Sequence, residues 1–330
     1  MEFGSLEIMK AIQIAEYGGP EVLNYTEVPE PLPNADQVLV EVTVAGINYI
    51  DTYYREGIYH SALPFIAGEE GCGRVINDPK GEIAEGTVVA WMSALGSYAE
   101  QVAVPRNRLV AVPEGIDHEV AASMLLQGTT AHYLVHGVHE TKEGDSILLT
   151  AGAGGVGLLV TQMAREVGAA VYSVVSTDEK EKLAYDAGAT EVFRYGENLA
   201  EVVRRRNGGH GVDVVLDGVG KDTFNESLEA VRPRGLVVLF GAASGPVEPI
   251  DPQLLNKHGS IYLTRPSLGA YTATDDEFRL RAQAVVRGVE EGKLKFRVGQ
   301  SYPLSEARHA HQDLHDRKTT GSIVLRVKED

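Results

Sequence analysis

Between residues 146 and 242 the chain alternates short, continuous apolar runs with amphipathic ones, and this most constrains its fold. SILLTA, AAVYSVV, EVFRY, VDVVLDGV and LVVLFGA are the apolar runs. VGLLVTQMAREVG, DEKEKLAYDAG, ENLAEVVRRRNGG and KDTFNESLEAVRP, which lie between them, carry helical patterns. Strands that are apolar on both faces and alternate with helices imply a parallel sheet covered on both sides, an α/β arrangement. The first unit, DSILLTAGAGGVGLLVTQMA, holds Gly152, Gly154 and Gly157 in the spacing G-x-G-x-x-G. Alone that spacing is weak. After an apolar strand and ahead of a helix it predicts a dinucleotide site. One glycine permits the tight turn, a second lets the backbone approach a pyrophosphate, and a third lets the helix pack on the sheet. The helix N-terminus then offers N–H groups and a positive dipole end to the phosphates. The competing reading is a glycine-rich turn without a ligand.

A site for NAD usually carries Asp or Glu about 20 residues after the turn, to bind the ribose 2′-OH. At that distance stands Ser176, in VYSVVSTDEKEK, with Lys180 about one helical turn later. A hydroxyl and an ammonium suit a 2′-phosphate better, so the spacing favours NADPH. Asp178 and Glu179 oppose this unless they face away, and Asp178 can also serve simply as a favourable helix start.

Residues 9–120 have a different rhythm. QVLVEVTVAGI, GRVI and TVVAWM read as strands, broken by GGP, PEPLPNAD and DPKGE. After 270 come a long helix, a strand, a shorter helix and a last strand, GSIVLRV. The start, MEFGSLEI, looks like a vector-encoded leader (residues 1–8), with Met9 as the expected native start.

The bulk numbers exclude several classes. The 330 residues carry a net charge of −17, and no basic stripe suggests a nucleic-acid surface. The densest basic cluster, Arg204–Arg206, reads as a solvated helix face. No run approaches the ~20 apolar residues of a membrane helix. Cys72 is the sole cysteine, so neither an intrachain disulfide nor a thiolate zinc cage can form. That fits a reducing, cytoplasmic setting. His132, His136 and His139, and His311 with His315, stand at helical spacing. No acidic or thiolate ligand is placed convincingly beside them, so they read as surface or half-buried histidines, and no metal is expected. Hydride transfer needs no nucleophile of its own, because the cofactor carries the chemistry.

GINYIDTYYREGIY (46–59), LLQGTTAHYLV (125–135), AGAGGVGLLVTQMA (151–164), GSIYLTRPSLGAY (259–271) and DRKTTGSIVL (316–325) resemble the quinone oxidoreductases. These are the zeta-crystallin-like, zinc-free branch of the medium-chain dehydrogenase/reductases. The resemblance spans Met9–Val327. It implies a GroES-like, β-rich catalytic domain at 9–128, a Rossmann doubly wound parallel-sheet domain at 129–268, and a return segment at 269–330 that completes the catalytic domain. It also implies NADPH and a homodimer paired through the edge of the Rossmann sheet, with GSIYLTRP supplying a strand. In zinc-dependent relatives a Cys and a His stand in the regions matching Asn48–Asp51 and Gly68–Glu70, and their absence here agrees with a zinc-free reading.

By the same resemblance the nicotinamide end maps to Asn48, Asp51, Tyr53 and Thr130, and the pyrophosphate turn to Gly155 and Val156. The 2′-phosphate pocket maps to Ser176, Lys180 and Tyr195. Val219 and the loop Phe240, Gly241, Ala243 and Ser244 line the cofactor's other face, and Arg265, Ser267 and Arg317 complete the cleft. Tyr53 or Tyr59 would flank the substrate. Plainer roles stay open: Tyr195 as a strand-end aromatic, Arg317 as a helix C-terminal charge, and Asp51 as a helix cap. The expected reaction is hydride transfer from NADPH to a quinone or related conjugated carbonyl. The alternatives are an enoyl-thioester or alkenal reductase of the same superfamily, or an NADPH-binding protein with a structural or RNA-related role.

Overall fold

The computed structural model describes residues 7–196 and 198–328, and all statements of structure below refer to these. Most of the leader expected at residues 1–8 lies outside them. In chain order the elements are β1 (Ile8–Ile14), β2 (Asn24–Pro29), β3 (Gln37–Ile47), α1 (Tyr49–Arg55), β4 (Phe65–Ile66), β5 (Glu70–Asn77), β6 (Val88–Trp91), β7 (Gln101–Pro105), β8 (Leu109–Ala111) and α2 (His118–Tyr133). Then follow β9 (Ser146–Leu149), α3 (Gly155–Val167), β10 (Ala170–Val175), α4 (Asp178–Ala187), β11 (Glu191–Arg194), α5 (Leu199–Arg206), β12 (Val212–Asp217), α6 (Phe224–Ala230), β13 (Val231–Leu239), α7 (Gln253–Lys257) and β14 (Tyr262–Thr264). The chain closes with α8 (Leu268–Tyr271), α9 (Asp275–Glu290), β15 (Val298–Pro303), α10 (Ala307–His315) and β16 (Ser322–Arg326).

The described residues form two compact units, one from residues 7–127 with 282–328 and one from 128–196 with 198–281. The first is built on a mainly antiparallel sheet in the order β15-β16-β3-β5-β6-β8, with β7 also pairing β3, and on a smaller sheet β2-β1-β4. Strand β3 shows why. In its first eight residues every second side chain is buried, namely Val38, Val40, Val42 and Val44, the period-2 pattern of a strand with one face on a core. β16 is buried along Ser322–Leu325 and lies between β15 and β3, so the C-terminal strand is an interior strand of the sheet.

The second unit is a parallel sheet in the order β11-β10-β9-β12-β13-β14. β9 and β12 are neighbours but their flanking strands run outward in opposite directions, so the order reverses between them. Ligands of open α/β sheets bind outside the carboxyl ends of the strands at such a point. Segment 269–281, which the resemblance assigns to the return segment, packs with this unit instead. Tyr271 stacks on Tyr133 at 4.6 Å, and Arg281 donates to the Tyr271 carbonyl at 2.9 Å and to His132 Nδ1 at 3.1 Å. These long-range contacts carry no sequence periodicity.

Candidate active site

In the second unit the glycine turn closes β9 and opens α3. A Cβ on Gly152 would lie 1.7 Å from Ser173 Oγ, and one on Gly157 would lie 2.4 Å from the Ala151 carbonyl oxygen. Both positions therefore exclude a side chain for packing reasons alone. Gly154 caps the helix, and Gly155, Val156 and Gly157 form its first turn, whose N–H groups lack intrahelical partners. This cradle fits a pyrophosphate.

At the carboxyl end of β10, Lys180 Nζ donates to Ser176 Oγ at 3.4 Å. Thr177 caps α4 by accepting the Lys180 N–H at 3.2 Å, which fixes the turn that brings the two together. Tyr195, just past β11, accepts the Ala151 N–H on its hydroxyl at 2.7 Å. It thereby ties the end of β11 to the glycine turn across the end of β10. Asp178 is held by Arg194 at 2.7 Å, and Glu181 by the same guanidinium at 2.5 Å. Sequence reasoning missed Arg194, which precedes Tyr195.

Beyond β12, Asp217 is fully buried. Its Oδ1 accepts the Val219 and Gly220 N–H groups at 2.9 and 3.0 Å, and Thr223 and Ser227 hydroxyls close on its Oδ2 at 2.7 Å. The carboxylate shapes the Val219 turn. After β13, Phe240 N–H donates to the Asp217 carbonyl at 2.9 Å, Ala243 N–H to that of Gly218 at 3.2 Å, and Ser244 N–H to that of Val219 at 2.9 Å. A Cβ on Gly241 would meet the Gly218 carbonyl oxygen at 2.6 Å. Arg265 donates to the Pro266 carbonyl at 2.9 Å, and Ser267 caps α8 through the Ala270 N–H at 3.3 Å. Thr130 is buried on α2 in this unit.

The first unit brings together Asn48, Asp51, Tyr53 and Tyr59 around α1, with Arg317 near enough to Tyr49 to oppose the rise that burial imposes on its hydroxyl. Arg317 follows α10 in the left-handed region, at φ 58°. Asp51 does act on the helix start: its Oδ2 accepts the Asn48 N–H at 2.8 Å. Tyr59 N–H donates to the Tyr53 carbonyl at 3.1 Å. The Tyr59 ring stands edge-on to both Tyr53 and Tyr54, at 5.6 and 5.7 Å.

Behind α1 lies a buried polar chain that no motif announced. Arg55 Nη1 meets His311 Nδ1 at 3.0 Å, and His311 Nε2 meets the Tyr98 hydroxyl at 3.0 Å. The Tyr98 hydroxyl in turn donates to Asp51 Oδ2 at 3.0 Å. A guanidinium only donates, so Nδ1 accepts, Nε2 carries the hydrogen, and every bond points toward Asp51. Burial drives His311 down to about 3, so it stays neutral. Burial raises Asp51 to about 7 against the pull of the Asn48 N–H. Its Oδ2 takes two donors while Oδ1 has no hydrogen-bond partner. Glu70 is pushed up to about 8 by burial.

The histidines read as surface or half-buried divide. His311 is fully buried. His139 pairs with Asp145 at 2.9 Å, and His132 lies 4.8 Å from His136, ring to ring. Burial lowers His132 to about 4. Among the described residues no group of three or more His, Cys, Asp and Glu side chains is placed to hold a metal, and no helix is long and apolar enough to cross a membrane.

Comparison with known proteins gives a consistent picture. Residues 34–114 match the alcohol dehydrogenase GroES-like domain and 155–280 the zinc-binding dehydrogenase domain. The chain is 41% identical to a quinone oxidoreductase of Pseudomonas aeruginosa, over 96% of this chain and 99% of that protein. It is 37% identical to a 2-haloacrylate reductase of a Burkholderia species, over 96% and 98%. Among solved structures it superposes on a mycobacterial protein complexed with NADPH with a TM-score of 0.94 at 48% identity, covering 96% of this chain and 99% of that one. The Escherichia coli quinone oxidoreductase complexed with NADPH gives 0.93 at 37%, with 96% and 99% covered.

Proposed function

The chain belongs to the quinone oxidoreductase family, and on that footing we propose that it is an NADPH-dependent reductase that passes hydride to a quinone or a related conjugated carbonyl. The observation that carries the cofactor choice is the meeting of Lys180 and Ser176 at the end of β10, where an enzyme for NAD would place an acid. Tyr195 frames the same corner, and Arg194 holds the Asp178 and Glu181 carboxylates beside it. Gly155, Val156 and Gly157 would hold the pyrophosphate, and Val219, Phe240, Gly241, Ala243, Ser244, Arg265 and Ser267 of the same unit would line the cofactor; Arg317 of the first unit is carried over from the resemblance alone.

Bound NADPH supplies the hydride. On the resemblance, Asn48 and Thr130 would orient the ring, and Tyr53 and Tyr59 would flank the substrate. Reduction builds negative charge on the substrate oxygen, so a nearby donor speeds the step. Asp51, with one oxygen unpartnered and its carboxyl held near neutrality, is suited to hold a proton there. We assign no role to zinc: Asn48, Asp51 and Glu70 engage one another or their neighbours rather than converging on a common point. A homodimer through β14 accords with that strand's edge position and the exposure of Tyr262, and an unpaired Cys72 suits the cytoplasm.

Steady-state NADPH oxidation with 1,4-benzoquinone, 9,10-phenanthrenequinone, a short alkenal and a 2-haloacrylate tests the reading. Turnover with at least one quinone is expected, and no turnover with any of the four would sink it. The similarity to a 2-haloacrylate reductase favours a second reading, in which an activated alkene is the preferred acceptor. Higher kcat/KM for the alkenal or haloacrylate than for either quinone would select it.

A further inference from the structure

Asn48 sits in a second buried chain, drawn from four separate elements of the first unit. Its Nδ2 donates to Glu70 Oε2 at 2.7 Å, and its Oδ1 accepts from Gln127 Nε2 at 3.3 Å. Gln127 Oε1 accepts from the Ser322 hydroxyl at 2.6 Å. Glu70 Oε1 accepts the Leu126 N–H at 2.8 Å. All four side chains are buried. Two primary amides in series have a polarity. An ionised carboxylate only accepts, so Asn48 must turn its nitrogen to Glu70 and its oxygen to Gln127. Gln127 must then turn its nitrogen to Asn48 and its oxygen to Ser322.

A proton on Glu70 changes this. Oε1 already accepts from a backbone N–H, so the proton sits on Oε2 and makes it a donor toward Asn48. Both amides then turn over, and the Ser322 hydroxyl, which can also accept, ends the chain. Along the chain each hydrogen bond is reversed rather than lost, and only the contact of the Asn48 side chain with the Asp51 N–H at the start of α1 is given up. We infer that Glu70, Gln127 and Ser322 are positioning residues that set which way round Asn48 presents its amide, and that a proton on Glu70 reverses the whole chain. The free N–H and the free lone pair of Asn48 exchange places. The consequence for the nicotinamide rests on the reading of Asn48 given above.

The groups facing Glu70 are known. Asp51 of α1 raises it, and Tyr98, in the segment before β7, is raised by it in return. From α2 it meets the Leu125 and Leu126 N–H groups, and from β3 it packs on Gly46. With Glu70 near 8, the reversal falls within an accessible pH range.

Trp91, the single tryptophan, pairs across strands with Gly71, next to Glu70, and reports on it. In cofactor-free protein its fluorescence is expected to show a transition centred near pH 8. That transition should disappear in Glu70→Gln, whose amide mimics the reversed state, and persist in Asp51→Asn. NADPH affinity, followed between about pH 6.5 and 9.5 to stay above the second phosphate ionisation, should break at the same midpoint by about two- to tenfold. Glu70→Gln should remove the break. Gln127→Met should remove it too while keeping the Trp91 transition, and this variant serves alone if Glu70→Gln does not fold. A Trp91 transition or an affinity break that survives in Glu70→Gln overturns the inference, as does a break that survives in Gln127→Met. A transition lost in Glu70→Gln but unaccompanied by any break means that Glu70 titrates without resetting Asn48 and overturns the inference, while quinone turnover, measured separately, decides the functional reading.

Discussion

Lys180 stands half in solvent, 3.4 Å from Ser176, and most of the choice between the two nicotinamide cofactors hangs on that pair. A charged hydrogen bond to phosphate is worth about 1.5–3 kcal/mol, and partial exposure points to the lower end. Lys180→Ala is therefore expected to raise the NADPH dissociation constant by about tenfold and to leave that for NADH within about twofold. Equal losses for both would mean that the lysine only supports α4. The pair was legible in the sequence, because the glycine turn sets a count and Ser176 stands where the count ends. Arg194 was not. Its importance lies in drawing Asp178 and Glu181 to itself, and no local pattern says which of the three acids in the first turn of α4 an arginine on the next strand will take.

At the scale of elements the alternation of apolar runs and helices was readable as it stands, since each βα unit announces itself by its own periodicity. Helix α1 was readable at its start, through Asn48 and Asp51. What anchors α1 was hidden, because the chain Arg55–His311–Tyr98–Asp51 joins residues from distant parts of the sequence. Only the sheet order brings them together. The spacing of His311 from His315 suggests a surface or half-buried histidine, yet it is a buried, uncharged link with both ring nitrogens engaged. His311→Leu would leave the buried Arg55 guanidinium and the Tyr98 hydroxyl short of a partner. The expected cost is about 3 kcal/mol, more than the loss of packing alone would give. Urea unfolding of the first unit, followed by Trp91 fluorescence, measures it. A change below about 1 kcal/mol would mean that water replaces the imidazole.

For the whole molecule the buried titratable groups set a pH dependence whose sign can be worked out. His311 and His132 are lowered, to about 3 and about 4, so the native state binds fewer of their protons. Their contribution grows as pH rises and is complete above about 6.5. Asp51 and Glu70 are raised, to about 7 and about 8. Their contribution is full below the ordinary carboxylate range and is lost as pH climbs through 7 and 8. Above about 6.5 only the second trend acts, and a net charge of −17 adds self-repulsion. Stability should thus peak on the acid side of neutrality and fall toward pH 9. The urea midpoint at several pH values checks this. Glu70→Gln should flatten the fall, and a midpoint that rises from pH 7 to 9 would refute the assignment.

The position of β16 carries a consequence for synthesis. This strand leaves the ribosome only after the whole second unit has been made, yet it fills the slot between β15 and β3 and supplies Ser322 to Gln127. The second unit is complete in sequence by residue 281 and can close while translation continues. The first must wait, holding the Val44–Ile47 end of β3 unpaired on one side, as a template open to neighbouring nascent chains. Crowded polysomes and slow elongation between residue 281 and β16 are the circumstances in which this protein is most exposed to misassembly.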